Sequence, residues 1–150
     1  MNAPFPSCSG STLGLLFRQV RDAMWGRMEH ELAQAGHELT FSQYITLKML
    51  SSGPAGVTDL ARYAELNPGA MTRLLDKLEA RGFIARVADP ADRRALHIHL
   101  TEAGQAMWLD VNQCGQRVRE RAMAGLSDDE RNQLMRLLEH VRDNLSFTGS

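Results

Sequence analysis

Between Phe83 and Gly104 the chain spells out a strand, a turn, a second strand and a helix start, and no other stretch narrows the possible folds as much. Phe83-Ile84-Ala85-Arg86-Val87 reads as a short strand, and Leu96, Ile98 and Leu100 alternate with His97 and His99 at the period of a half-buried one. Asp89-Pro90 opens the turn between them: the carboxylate bonds nearby backbone and proline fixes φ. Thr101 follows the last apolar strand residue with a hydroxyl suited to cap a helix. The run therefore predicts a projecting hairpin tipped by Asp92, Arg93 and Arg94, the kind of ribbon that meets a polyanion.

The flanking sequence is helical. Leu13, Leu16, Val20, Met24, Met28 and Leu32 recur at three- and four-residue steps and predict a long amphipathic helix that Gly36 ends. Thr40-Phe41-Ser42-Gln43 has capping-box spacing and opens a second helix, which runs to Leu50 before Ser51-Ser52-Gly53-Pro54 breaks it. Thr58 is read as the cap of a short third helix, Asp59 to Glu65. Asn67-Pro68 starts a fourth, with Met71, Leu74, Leu75 and Leu78 on one face and Gly82 at its end. After the hairpin, Thr101 opens a helix to about Met123. Ser127-Asp128-Asp129-Glu130 is a second capping box, and the helix it opens carries Leu134, Leu137, Leu138, Val141 and Leu145 as a stripe.

The fold class that follows is mainly α with a small β-hairpin wing. Two successive short helices followed at once by an arginine-tipped hairpin form a winged helix-turn-helix, in which one helix enters the major groove of DNA and the wing reaches the minor groove. The long terminal helices carry apolar stripes that a small central module is too small to cover, so they are expected to pair with those of a second copy. The expected organisation is a single subunit over residues 1–150, with dimerisation helices at 11–36 and 102–146 and a DNA-binding lobe at 39–101.

At 150 residues and a net charge of −1 the chain is one domain's worth and no polycation, so contact with nucleic acid has to come from a local patch. Between Arg73 and Arg94, six cations stand against four carboxylates; from Glu102 onward, six arginines face eight acids. The positive bias sits where the hairpin sits. Two cysteines, Cys8 and Cys114, make no disulfide framework and fit a reduced, cytoplasmic protein. Residues 1–9 and the last three read as loose tails. Residues 1–9 lack the basic and apolar regions of a signal peptide, and no apolar run approaches the roughly twenty residues needed to span a bilayer, so no membrane partner is expected.

Asn-Pro-Gly-Ala-Met-Thr-Arg-Leu-Leu-Asp-Lys-Leu-Glu-Ala-Arg-Gly over residues 67–82, then Asp-Pro-Ala-Asp-Arg-Arg and Leu-Thr-Glu-Ala-Gly, resembles the MarR family of bacterial transcriptional regulators. The Leu39-Thr40-Phe41-Ser42-Gln43 start of the second helix, the helix order and the chain length agree, so the resemblance covers residues 11–146. Leu-His-Ile-His-Leu-Thr-Glu-Ala-Gly is similar to the wing of regulators of multidrug efflux. The resemblance implies a homodimeric repressor, released from a pseudo-palindromic double-stranded operator by a small aromatic or phenolic effector. It puts Pro68, Gly69, Ala70, Thr72 and Arg73 at the groove-facing start of the recognition helix and Arg94 in the minor groove. Small residues in that first turn allow close approach to base edges, and Thr72 and Arg73 have the donors to read them. Lys77 is expected on the backbone. Asp92 is expected to orient Arg94, with Arg93 and Arg86 as phosphate clamps.

The sequence offers material for three kinds of switch. An effector crevice of the kind found between the family's two lobes would draw on Met24, Met28, Phe41, Tyr44 and Trp108, thioether and aromatic side chains that adapt and stack. The alternative is thiol oxidation, as in peroxide sensors of the same family. Against it, Cys8 lies upstream of the place those sensors keep their cysteine, Gly14 stands nearer that place, and the first helix has no tyrosine. His97 and His99 share a strand face but make only half a zinc site, so they are read as wing residues and no cofactor or metal is expected. Without a P-loop, nucleotide-binding glycine motif or nucleophile elbow, the chain is not expected to be an enzyme.

Overall fold

A computed structural model of the protein describes residues 12–92 and 95–147. In chain order it has α1 (Leu13–Gln34), α2 (Phe41–Ser51), β1 (Ala55–Gly56), α3 (Val57–Tyr63), α4 (Pro68–Ala80), β2 (Ile84–Ala88), β3 (Leu96–Leu100), α5 (Glu102–Ala122) and α6 (Asp128–Leu145). The strands form one antiparallel sheet in the order β1-β3-β2, with Ala55 opposite Ile98 on one side of β3 and Arg86 opposite Ile98 on the other.

The capping residues act as their chemistry predicts. Thr40 with Gln43, and Ser127 with Glu130, close reciprocal capping boxes, satisfying two of the orphan backbone donors at each helix start. Asn67 accepts the Ala70 N–H at 2.8 Å with Pro68 in the first turn of α4. Thr101 accepts the Gly104 N–H at 3.0 Å while donating its own hydroxyl to the Gly82 carbonyl at 2.6 Å. That hydroxyl ties the start of α5 to the end of α4. The joint is close-packed: a Cβ on Gly104 would collide with the Phe83 carbonyl oxygen.

Two details differ from the sequence reading. A two-residue strand, β1, precedes α3, and its extended Gly56 is the cap residue, so α3 starts at Val57 with no side-chain cap and Thr58 lies inside it. The hairpin's first strand is shifted by one residue, to Ile84–Ala88. The turn from α3 into α4 puts Glu65 at φ 56°, a left-handed conformation uncommon for a non-glycine residue, which lets Leu66 N–H reach back to the Ala61 carbonyl at 2.9 Å.

The core gathers in the centre. Leu47, Leu50, Leu60, Met71, Leu75, Leu78, Ile84 and Ile98 bury against one another, and Met28, Leu32, Met107, Val111 and Val118 extend the cluster to where α1 crosses α5. Of the α1 stripe only Met28 and Leu32 are buried, and α6 buries no residue. Among the described residues, no helix is long and apolar enough to cross a membrane.

Candidate nucleic-acid interface and adjoining crevice

The inner face of α4 is fixed by its four buried apolar residues, so the remaining positions are turned outward by the 3.6-residue period. Gly69, Thr72, Arg73, Asp76 and Lys77 are exposed, with Pro68 and the half-buried Ala70 in the same first turn. Thr72 donates its hydroxyl hydrogen to the Pro68 carbonyl at 2.9 Å, which leaves its lone pairs and methyl group facing out. Arg73 folds back over the first turn, its Nη1 3.7 Å from where a Gly69 side chain would begin. Among the described residues neither Arg73 nor Lys77 has an ion-pair partner. Both are unneutralised cations on an open helix face.

Among the described residues, the other two cations of this region, Arg81 and Arg86, are engaged within the fold. Arg86 on β2 donates to Asp76 at 2.7 Å and to Glu79 at 3.3 Å, with three-quarters of its side chain covered. Its charge is spent locking the wing to α4, which departs from the phosphate-clamp expectation; the cause is tertiary, since α4 turns two carboxylates toward β2. Arg81 donates to the Glu38 carbonyl at 2.9 Å and lies 5.0 Å over the Phe83 ring, a structural role.

The wing's turn is organised by Asp89. Its N–H donates to the Ala95 carbonyl at 2.9 Å, its Oδ1 accepts the Ala91 N–H at 2.9 Å, and its Oδ2 lies 3.4 Å from His97 Nε2. Asp92 continues the turn, donating its N–H to Asp89 and accepting that of Ala95 through its carbonyl. Arg93 and Arg94, expected at the tip, lie outside the described residues. Among the described residues no cluster of three His, Cys, Asp or Glu is arranged to hold a metal.

Where α1, α2 and α5 meet there is an open crevice of about 400 Å³. Met24, Met28, Phe41 and Tyr44 line it together; the fifth expected residue, Trp108, does not. Trp108 stands behind Tyr44, ring centres 5.9 Å apart, and lines a separate groove of about 430 Å³ with the Leu50–Pro54 loop. Trp25, which sequence reasoning missed, takes the stacking place, edge-on to Phe41 at 5.0 Å and tilted to Tyr44 at 5.8 Å. Burial pushes the Tyr44 phenol up from its ordinary range, with Arg119 opposing that rise. Lys48 and Arg119 bring positive charge to the rim, also unanticipated. Their only sequence signal was helical phase with Phe41 and Tyr44 on one side and with Gly115 on the other.

The thiol route has the wrong environment at Cys114. That side chain is fully buried in α5, and desolvation raises the thiol away from the reactive thiolate, although Arg117 Nη2 donates to Sγ at 3.3 Å. Cys8 lies outside the described residues.

A helix with a free, cationic outer face, preceded by a short helix and followed by a hairpin locked to it, defines a winged helix-turn-helix DNA-binding protein. The MarR family profile matches residues 39–96, the span from α2 to the start of β3. The chain is 33% identical over 127 residues to the uncharacterised HTH-type transcriptional regulator YkoM of Bacillus subtilis, covering 83% of this chain and 82% of YkoM. It is 31% identical over 130 residues to the HTH-type transcriptional repressor Rv2887 of Mycobacterium tuberculosis, covering 86% and 92%. A cysteine-to-serine mutant of MarR from Escherichia coli, solved in complex with operator DNA, superposes with a TM-score of 0.73 at 27% identity, covering 86% of this chain and 92% of that one. The protein belongs to the MarR family of winged-helix transcriptional regulators. Members of this family are DNA-binding regulators, not enzymes.

Proposed function

We propose that the protein is a cytoplasmic, homodimeric repressor that reads a pseudo-palindromic operator with two copies of α4 and is released from it by a small aromatic or phenolic effector. The observation that carries the DNA-reading part is the outer face of α4, where Arg73 and Lys77 are uncompensated beside the small first-turn residues Gly69 and Ala70. In this reading residues 39–101 are the DNA-binding lobe, and the helices at 11–36 and 102–146 form the dimer. Two lobes then address half-sites about one helical turn apart. Pro68, Gly69, Ala70, Thr72 and Arg73 face the groove, and Lys77 meets the backbone. Arg94 enters the minor groove, oriented by Asp92, while Arg93 holds phosphate. Arg86 acts one step back, bracing the wing against α4 through Asp76 and Glu79.

Support for the effector comes from the crevice beside α2. It is large enough for a one- or two-ring molecule and walled by Met24, Met28, Phe41 and Tyr44. An occupant releases DNA only if it binds the non-binding arrangement of lobe and dimer helices more tightly than the binding one. Thiol sensing finds no support at Cys114.

The decisive experiment is a mobility-shift titration on the protein's own promoter fragment at several salt concentrations. Affinity is expected to fall steeply with salt as counterions are released, and Arg94→Ala to weaken binding by roughly 1–3 kcal/mol with the subunits still folded. Equal affinity for Arg94→Ala and the parent at moderate salt overturns the wing's assignment.

A further inference from the structure

α1, α3 and α4 end with the same backbone geometry, but one of them ends on a residue that the geometry disfavours. α1 and α4 stop at Gly36 and Gly82, with φ of 80° and 82°. In each, two successive N–H groups reach back to close the last turn, Gly36 to Ala33 and His37 to Leu32, Gly82 to Glu79 and Phe83 to Leu78. α3 closes with the same pair of bonds, Glu65 N–H to the Arg62 carbonyl at 3.2 Å and Leu66 N–H to the Ala61 carbonyl at 2.9 Å, but it does so at φ 56° and with a glutamate. A left-handed φ is open to glycine and unfavourable for a residue with a Cβ. Local backbone physics therefore calls for glycine at position 65, and the chain that supplies it at Gly36 and Gly82 does not supply it here.

What the glutamate adds is charge. Position 65 lies in the turn between α3 and α4, two residues ahead of Asn67, the cap of the helix whose first turn exposes Pro68 and Gly69. Glu65 is exposed, and among the described residues its carboxylate has no hydrogen-bond or ion-pair partner; Arg62, three residues back, is taken by Asp59 at 3.2 Å. Two residues span at most about 7 Å, so an unneutralised negative charge stands within about a Debye length of any phosphate that the start of α4 meets. Resting on the reading of α4 as the groove-entering helix, we propose that Glu65 is an affinity-limiting residue. Its carboxylate repels the DNA backbone and holds the complex weaker than Arg73, Lys77 and the wing would make it. The repulsion is with phosphate, so it acts on every duplex alike and sets strength rather than sequence preference. A complex held below its strongest is one that a modest difference in an effector's affinity for two conformations can undo.

A series at this position in the full chain separates charge from backbone. Glu65→Gln and Glu65→Lys keep a Cβ at the left-handed φ and change only the charge, whereas Glu65→Gly removes both. Mobility shifts measure affinity for the protein's own promoter fragment and for an unrelated duplex of equal length. Glu65→Gln and Glu65→Gly are each expected to tighten both complexes about threefold at low salt, and Glu65→Lys about tenfold, with gains that shrink as salt is added. In thermal melts only Glu65→Gly is expected to differ from the parent, melting about 2–4 °C higher. Affinity that is the same for the parent, Glu65→Gln and Glu65→Lys overturns the assignment. So does a gain confined to the promoter fragment, which would make residue 65 a reader of bases. A Glu65→Gly chain that melts no higher than the parent overturns it as well, since the glutamate would then be at no disadvantage in the turn. Arg73→Ala tests the reading underneath. If it weakens binding while the charge series is flat, Glu65 alone loses its assignment; if neither the parent nor Glu65→Lys shifts any duplex, the reading of α4 falls.

Discussion

α4 and α6 are both written with leucines at three- and four-residue spacing, yet the fold treats them in opposite ways. α4 buries Met71, Leu74, Leu75 and Leu78, and Leu75 is 0% exposed. α6 buries nothing, and Leu137 and Leu145 keep 56% and 73% of their surface in contact with solvent. α1 contains both behaviours, buried at Met28 and Leu32 near its end and open at Leu13, Leu16 and Val20 near its start. The same pattern therefore has two meanings: in the central lobe it closes a core within one chain, and in α6 and the start of α1 it leaves an apolar surface that the other described residues do not cover. The lobe's stability is expected to be intramolecular and that of the arms to depend on association.

The largest effect is expected in the lobe. Leu75→Ala leaves a cavity in the buried cluster of the lobe, and should cost about 2–5 kcal/mol of unfolding free energy, independent of protein concentration, in urea titrations. Leu137→Ala should act on the other side of the comparison. In the proposed dimer it removes apolar area that the second chain buries, so it is expected to weaken self-association by up to about 2 kcal/mol in sedimentation equilibrium, with the monomer's lobe unaffected. A Leu137→Ala chain that associates normally but unfolds at lower urea even when dilute would show that α6 packs within its own subunit, and the contrast with α4 would collapse.

How much of this was legible in the sequence follows the same division. Elements whose determinants are local were readable: both capping boxes, the Asn67-Pro68 start of α4, the Thr101 cap and the extent of β3 depend on residues within three or four positions of each other. β1 was not, because two residues have no periodicity and Ala55–Gly56 is a strand only by pairing with Ile98 and His97, some forty residues on. The start of α3 moved with it. Arg86 looked like a free cation because its partners, Asp76 and Glu79, come into reach only once β2 folds back along α4. The crevice was half legible: apolar and aromatic composition pointed to Met24, Met28, Phe41 and Tyr44, but which tryptophan joins them depends on the rotation of α5 about its axis, which turns Gly115 inward and sends Trp108 to the far side of Tyr44.

The smallest expected effect concerns pH, and it again separates lobe from arms. Glu31 on α1 is held below its ordinary value of 4.5, first by the 2.8 Å hydrogen bond from Arg117 of α5. Glu130 is held low by the backbone N–H of Ser127, the reciprocal half of the box that starts α6. A carboxyl whose folded value is depressed contributes stability that is fully present above its unfolded value and is lost as pH falls through the folded one. Both contributions are therefore complete at neutral pH and fade below about pH 4.5. One joins α1 to α5, and the other caps α6. The buried residues of the lobe, apolar apart from Gln43 and Thr46, carry no group that titrates in acid. Acidification should then loosen the terminal helices before the core of the lobe, visible as earlier loss of amide protection in α6 than around Leu75. Glu130 is exposed, and Glu31, though about three-quarters covered, pairs with a half-exposed Arg117, so the effect should be modest and should shrink with added salt. Glu130→Gln keeps an acceptor at the cap but removes the charge that titrates, so the acid sensitivity of the first turn of α6 should disappear in that variant. Protection lost first around Leu75, with α6 still intact, would reverse the order of stability on which the comparison of the two regions rests.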